Sequence, residues 1–296
     1  MELRLLRYFL AVAREENITR ASKFLHISQP SLSVQLKELE DEIGKKLIIR
    51  GKRKITLTEE GVLLRKRAEE ILSLVEKTER ELNNIDENIS GIISIGSGET
   101  NAMSTILQAA EYLKEEYPNI RYNLFSGDAE AVLEQLDKGL LDFGILIDPI
   151  DISKYEYMHL NVTDTWGLLM KSDNPLCQKD HIKLDDLLNI PLISPRRLGL
   201  QHEISNWVKK DFESLNVIAT YNLIYNANLL VKKNFGNAIV LEKLALNTIS
   251  TNELCFRPFY PKIEVQFSLV WKKYQIFSKA SEKFIEILND QLFDRI

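Results

Sequence analysis

Cysteine is scarce in this sequence. The 296 residues hold two, Cys177 and Cys255, 78 positions apart and without CxxC or Cys/His spacing, so no metal-ligand pattern is present. Both are expected to be reduced small side chains, and a redox pair would need the fold to bring them together. Histidine is nearly as rare: His26, His159, His181 and His202. None stands near a serine or cysteine elbow, and GxSxG, P-loop and HExxH motifs are all missing. A non-enzymatic protein without metal or cofactor is expected. Long apolar runs are absent too, because no stretch reaches the roughly 18 residues of a membrane span. The opening MELRLLRYFLAVAREEN is interrupted by Arg4, Arg7 and Arg14. It has neither a continuous apolar segment nor a small-residue cleavage site. A cytoplasmic protein with no membrane partner is the expectation.

What is present is ordinary in amount and uneven in distribution. Hydrophobic residues make up 45% and charged residues 27%, typical of a soluble globular chain, and the length suits two or three domains. Net charge is −5. Residues 1–58 carry 12 Lys and Arg against 7 Asp and Glu, a net of +5 that leaves −10 on the remainder. A basic head on an acidic body points to a polyanion met by the head alone.

The stretch Ser28–Gly44, SQPSLSVQLKELEDEIG, organises that head. Ser28 can cap a helix, and Pro30 falls in the first turn, where a missing N–H costs little. Leu32, Leu36, Leu39 and Ile43 form one apolar stripe at 4-3-4 spacing. Short polar hydrogen-bonders, Gln29, Ser31, Ser33 and Gln35, occupy the N-terminal end. The acids Glu38, Glu40, Asp41 and Glu42 follow at the C-terminal end. That order suits a helix whose first turns meet base edges and whose acidic tail points away from phosphate. Before it, residues 3–15 read as an amphipathic helix. A second helix, capped by Asn17 or Thr19, runs to about Leu25 with Ala21, Phe24 and Leu25 inward. His26 and Ile27 make the short turn of a helix-turn-helix. After it, Lys46–Arg50 and Lys54–Thr58 read as two strands joined by Gly51-Lys52-Arg53-Lys54, a wing with cations at its tip.

Thr58, Glu59 and Glu60 start the next helix, a cap followed by acids at the positive dipole end. Gly61, Leu64, Ala68, Ile71, Val75, Thr78, Leu82 and Ile85 recur at heptad-like spacing to about Asn88. A two-stranded contact between protomers is the expected use, and packing on the chain's own body is the alternative.

The head and this helix resemble the LysR-type transcriptional regulators. The resemblance is strongest in LRYFLAVAREENITRASKFLHISQPSLSVQLKELEDEIGKKLIIRGKRKITLTEEG, residues 6–61. Its elements are Ala-x-x-Leu around Ala21 to Leu25, SQPSLS, Leu39 to Gly44, and LTEEG at Leu57 to Gly61. It implies an N-terminal winged helix-turn-helix (1–58), a linker and dimerisation helix (59–88), and a two-lobed α/β domain like periplasmic binding proteins (92–296). Lobe I would hold about 92–162 and 270–296, and lobe II about 165–267. The expected partners are double-stranded operator DNA, a small-molecule effector, a second copy through the linker helix, a homotetramer of paired dimers, and RNA polymerase. DNA contacts are expected from Gln29, Pro30, Ser31, Ser33, Gln35, Lys52 and Arg53. Many members have Arg where this chain has Val34, which moves weight onto those residues. The competing reading, a solute-binding protein whose head is only an interaction module, would need export.

The body alternates strand and helix. Ile92–Ser97, a helix to Tyr117, Ile120–Phe125, a helix from Asp128 to Lys138, and Asp142–Ile147 read as βαβαβ, a parallel sheet. Further strands are expected at Thr165–Met170, Pro191–Ser194, Val217–Ile224, Ala238–Leu241 and Phe267–Trp271. Helices are expected around Leu200–Phe212, from Asn226, and at about Phe277–Leu292. Chain crossovers fall near 162–165 and 266–272. Ligands of such sheets sit beyond the C-terminal strand ends. Thr100, Ser126, Asp128, Arg196 and Asn226 occupy those loops and are the expected effector contacts. Arg196 can pair bidentately with a carboxylate. Glu99 and Asp128 would repel a second one, so an amine-bearing or zwitterionic metabolite is favoured over a dianion.

Overall fold

A computed structural model describes residues 1–51, 54–83, 89–148, 153–196, 215–248 and 253–293. They fall into two units, Met1–Ile85 and Asp86–Ile296.

The first unit opens with α1 (Leu3–Glu15), which buries Leu5, Leu6, Phe9 and Val12 along one face. Helix α2 (Ile18–Phe24) starts where the Asn17 side chain accepts the Arg20 amide at 3.0 Å. Its Ala21 is fully buried and leaves room for α3 (Gln29–Ile43) to pack closely. His26 adopts φ 55° in the turn between them, a conformation that His tolerates better than most residues. Phe24 departs from expectation. It is exposed rather than inward, and the Arg14 guanidinium lies 4.0 Å above its ring, so a cation–π contact on the surface replaces core packing.

The wing strands β1 (Ile48–Arg50) and β2 (Ile55–Leu57) pair antiparallel and are shorter than the sequence suggested. Thr58 closes their base. Its hydroxyl donates to the Lys46 carbonyl at 2.7 Å and accepts the Gly61 amide at 2.9 Å, which caps α4 (Glu59–Asn83). At Gly61 only glycine fits, since a Cβ there would stand 2.1 Å from the Leu47 carbonyl oxygen. The first half of α4 packs on α1, with Ala68 and Leu72 buried against Leu6. Leu72 lies outside the expected stripe, and the contact with α1 was not foreseen. Beyond it the stripe continues to Val75, Thr78 and Leu82, where Leu82 is 64% exposed. Ile85 and the expected helix end near Asn88 lie outside the described residues.

In the second unit, β3 (Gly91–Ser97), α5 (Met103–Glu116), β4 (Ile120–Ser126), α6 (Ala129–Asp137) and β5 (Phe143–Ile147) build the expected parallel sheet in order β4-β3-β5. The buried Asp142 pins the start of β5, because its carboxylate accepts the Ser94 amide at 2.7 Å. Strand β6 (Tyr155–Lys171) is far longer than the expected Thr165–Met170. Its first half pairs antiparallel with β11 (Glu264–Lys272) beside β5. Its second half pairs with β9 (Asn237–Leu241) and β10 (Leu254–Pro258). One strand therefore belongs to both lobes. Strands β7 (Leu192–Pro195) and β8 (Val217–Tyr221) complete the second lobe with α7 (Leu184–Leu187), α8 (Ile224–Lys232) and α9 (Glu242–Thr248). Strand β8 ends at Tyr221, so Ile224 opens α8 instead of closing the strand. β10, α7 and α9 were not foreseen, and the expected helix at 200–212 lies outside the described residues. Helix α10 (Lys279–Phe293) returns to the first lobe, where Ala280, Phe284 and Leu288 join Ile106, Ala109 and Leu113 of α5 in the core.

The fold also brings the two cysteines together. Cys177, in a 3-10 turn at Pro175–Gln178, donates its thiol to the Lys171 carbonyl at 3.2 Å. Burial pushes that thiol up to about 12, and a hydrogen bond with the Cys255 thiol adds to the shift.

Candidate functional site

On α3 the cap is as the residues suggested, with the Ser28 hydroxyl accepting the Ser31 amide at 3.2 Å. Leu32, Leu36 and Leu39 are buried, while Gln29, Pro30, Ser31 and Val34 are exposed and Ser33 and Gln35 half-buried. The Gln29 amide donates to Ser33 Oγ at 2.9 Å, and the Gln35 amide to Glu38 Oε2 at 2.5 Å. The surface turn is therefore pre-ordered. At the wing, the Gly51 amide donates to the Lys54 carbonyl at 3.0 Å, and Lys54 pairs with Glu16 at 3.1 Å. Lys52 and Arg53 lie outside the described residues.

Glu40 is a correction. The sequence reading grouped it with the solvent-facing acids, but it is 7% exposed. Its carboxylate accepts the amides of Leu47 at 2.9 Å and Ile48 at 3.3 Å and the Lys46 ammonium at 2.8 Å. Burial acts to raise its pKa, but those donors outweigh burial and hold it below the ordinary carboxylate value. The available signal was spacing, since Glu40 follows Leu36 by four positions on the apolar stripe.

In the second unit, Ser97 and Ser126 are register partners at the C-terminal ends of parallel β3 and β4. Thr100 Oγ1 accepts the Ala102 amide at 3.1 Å and closes a turn ahead of α5, whereas Asp128 Oδ1 accepts the Ala131 amide at 3.0 Å and caps α6. Ser126 is exposed beside them. On the other lobe, Arg196 is exposed just after β7, with its amide donating to the Tyr221 carbonyl at 2.8 Å. Asn226 is exposed in the first turn of α8. The structure thus gathers Thr100, Ser126 and Asp128 on neighbouring loops of one lobe, and Arg196 and Asn226 around the end of β8 on the other.

Besides the shared strand β6, Glu99 joins the two lobes. Its carboxylate accepts the Ile224 amide, placing an acid of the first lobe at the positive end of α8 in the second. Nearby, burial and secondarily the Glu99 charge push the Tyr221 phenol far above its ordinary value, and its hydroxyl donates to the Ile239 carbonyl at 2.7 Å. The sequence offered no sign of this contact, since its two partners lie 125 positions apart.

A polar cluster without any sequence signal lies on β6 and β11. Buried Ser268 Oγ stands 3.1 Å from both Asp148 oxygens and 3.0 Å from His159 Nδ1. Asp148 Oδ2 also lies 3.5 Å from that Nδ1, so serine and carboxylate meet the same ring nitrogen, whereas a base oriented through Nδ1 would offer Nε2 to its nucleophile. A separate open cavity of about 450 Å³, lined by Asp173, Asn174, Pro191 and Asn237 among others, opens at the opposite end of β7 and β9 from Arg196. No helix among the described residues is long and apolar enough to cross a membrane.

Comparison with known proteins places these features. Residues 3–62 match the bacterial regulatory helix-turn-helix protein, lysR family, and residues 86–293 match the LysR substrate binding domain. The HTH-type transcriptional regulator BsdA of Bacillus subtilis (strain 168) is 30% identical over 97% of this chain and 100% of its own length. The Hca operon transcriptional activator HcaR of Escherichia coli (strain K12) is 28% identical over 99% and 98%. Among solved structures, full-length CbnR complexed with its target DNA has the same fold, with a TM-score of 0.74 at 20% identity over 98% of this chain and 99% of that one. With a helix-turn-helix in the first unit and a two-lobed α/β substrate-binding domain in the second, the chain belongs to the LysR family of DNA-binding transcriptional regulators.

Proposed function

We propose that the protein works in the cytoplasm as a dimer that lays one α3 into the major groove at each of two half-sites. Gln29, Pro30, Ser31, Ser33 and Gln35 face the bases, and Lys52 and Arg53 of the wing meet the backbone. The observation that carries this reading is the exposed, pre-ordered polar first turn of α3, on a helix whose far end is tied to the wing through Glu40. The exposed apolar stripe at the distal end of α4 supports pairing through that helix, and pairs of dimers would form the tetramer. A small molecule bound at Thr100, Ser126, Asp128, Arg196 and Asn226 would favour one lobe arrangement and so re-angle the heads on DNA and their contact with RNA polymerase. It shifts the balance only as far as it binds one arrangement better than the other. Glu99 and Asp128 keep negative charge at these loops while Arg196 offers a guanidinium, which favours an amine-bearing or zwitterionic effector.

The test is binding of purified full-length protein to its own promoter fragment and to random DNA across a salt series. The promoter should be preferred. Arg53→Ala should weaken binding on all sequences and lower the salt slope by about 1, whereas Gln29→Ala should relax sequence choice. Equal affinity for promoter and random DNA would leave a small-molecule-binding protein without direct gene regulation.

A further inference from the structure

We propose that Val34 is a specificity-determining residue that reads the 5-methyl group of a thymine in the major groove. The argument starts from its place on α3. At 3.6 residues per turn, Val34 lies about 200° around the helix from Leu32. Leu32, Leu36 and Leu39 face the core, so Val34 points almost directly away from it. It is 56% exposed and joins none of the hydrophobic clusters found among the described residues.

Folding gives no reason for valine at this position. A β-branched side chain loses rotamer freedom in a helix, and alanine, lysine or glutamate would serve an exposed site better. A residue that breaks the local rule while standing outside every hydrophobic cluster of the described residues is expected at a functional surface. The neighbours narrow what it meets. The Gln29 amide is bonded to Ser33 and the Gln35 amide to Glu38, and the first cation along α3 is Lys37. Valine offers neither charge nor hydrogen bond, so phosphate and polar base edges are poor partners. The thymine methyl is the apolar group that the major-groove edges of the four bases present. Pro30, one turn earlier and also exposed, extends the same apolar strip.

The experiment uses the full chain and the promoter fragment that it protects, with each thymine replaced in turn by deoxyuridine, which removes only the methyl. For the unaltered protein, one substitution per half-site should lower affinity about fourfold, the factor that about 0.8 kcal/mol for a buried methyl group corresponds to. Val34→Ala, an exposed change to a better helix former that leaves the fold intact, alters both half-sites and should bind the unmodified fragment about as weakly as the unaltered protein binds a fragment carrying deoxyuridine at that position in both. It should then be indifferent to deoxyuridine at that position while keeping its salt slope. Specific binding with a flat deoxyuridine profile, or a Val34→Ala protein that still loses the same factor, overturns the assignment of Val34 and leaves the regulator reading standing. No preference for any fragment overturns both.

Discussion

The Glu40 carboxylate accepts the Leu47 amide at 2.9 Å and the Ile48 amide at 3.3 Å, which joins the last turn of α3 to the start of β1. One buried acid thereby sets the spacing between that helix and the β1–β2 hairpin. Glu40→Ala would strand the Leu47 and Ile48 amides and should destabilise the first unit by about 3 kcal/mol. Glu40→Gln keeps an acceptor oxygen and should cost less. The sign of the pH effect follows from the depressed pKa. Stability from this group is fully present above its ordinary value of 4.5 and is lost as pH falls through the lower folded value. Protection of the Leu47 and Ile48 amides, taken relative to their intrinsic exchange rates, should therefore fall on the acid side in the unaltered protein. In Glu40→Gln it should lack that limb.

A second prediction concerns the thiols. With Cys177 pushed up to about 12 by burial and then by Cys255, its thiolate fraction at pH 8 is about one in ten thousand. Native-state alkylation followed by peptide mass measurement should label the half-buried Cys255 and leave Cys177 untouched until the chain is unfolded. Equal labelling of both in the native protein would contradict the buried, hydrogen-bonded environment of Cys177.

Much of this architecture was legible because it is local. The cap at Ser28, the turn at His26, the apolar stripe of α3 and the parallel β3-β4-β5 arrangement each follow from residues within one or two turns or strands. What was not legible depends on distant partners. The first half of β6 carries Glu156, Tyr157, His159 and Asn161 on exposed or half-exposed positions, and Asn161 interrupts it with φ 50°. It reads as a loop until β11, more than a hundred residues later, pairs with it. The buried setting of Glu40 and the Ile224 contact of Glu99 were missed for the same reason. A carboxylate looks solvated in sequence, and only the fold supplies the amides that hold it. Phe24 erred in the other direction, because an aromatic looks buried until Arg14 is placed over its ring.

The dimer reading makes a third prediction. Leu82 continues the apolar stripe of α4 after α1 has stopped covering it, and it is 64% exposed. In a two-fold pair each such residue is buried twice, once on each protomer. Leu82→Lys should raise the dimer dissociation constant by at least about tenfold, measured by sedimentation. It should leave the α1–α4 core at Leu6, Ala68 and Leu72 folded. An unchanged dissociation constant would move the protomer contact off the distal part of α4.

The last prediction turns on the Glu99–Ile224 contact, which spans 125 positions and both lobes. Glu99→Ala removes the acceptor and the charge, so exchange of the Ile224 amide should quicken by about tenfold, the loss of one charge-assisted hydrogen bond. Glu99→Gln keeps an oxygen for that amide and should give a smaller change, while still removing the charge that acts on Tyr221. The two variants therefore separate lobe contact from electrostatics. If an amine on the effector pairs with this region, both should weaken binding. If Glu99 only ties the lobes, Glu99→Gln should bind almost as the unaltered protein does. Arg196→Ala is the companion measurement. It leaves the Ile224 amide and its Glu99 acceptor in place, so it should reduce the thermal shift produced by an effector found in a metabolite screen. Ile224 exchange and operator affinity should stay the same. An undiminished thermal shift in Arg196→Ala would remove that guanidinium from the effector site and leave Glu99 and Asp128 as its charged groups.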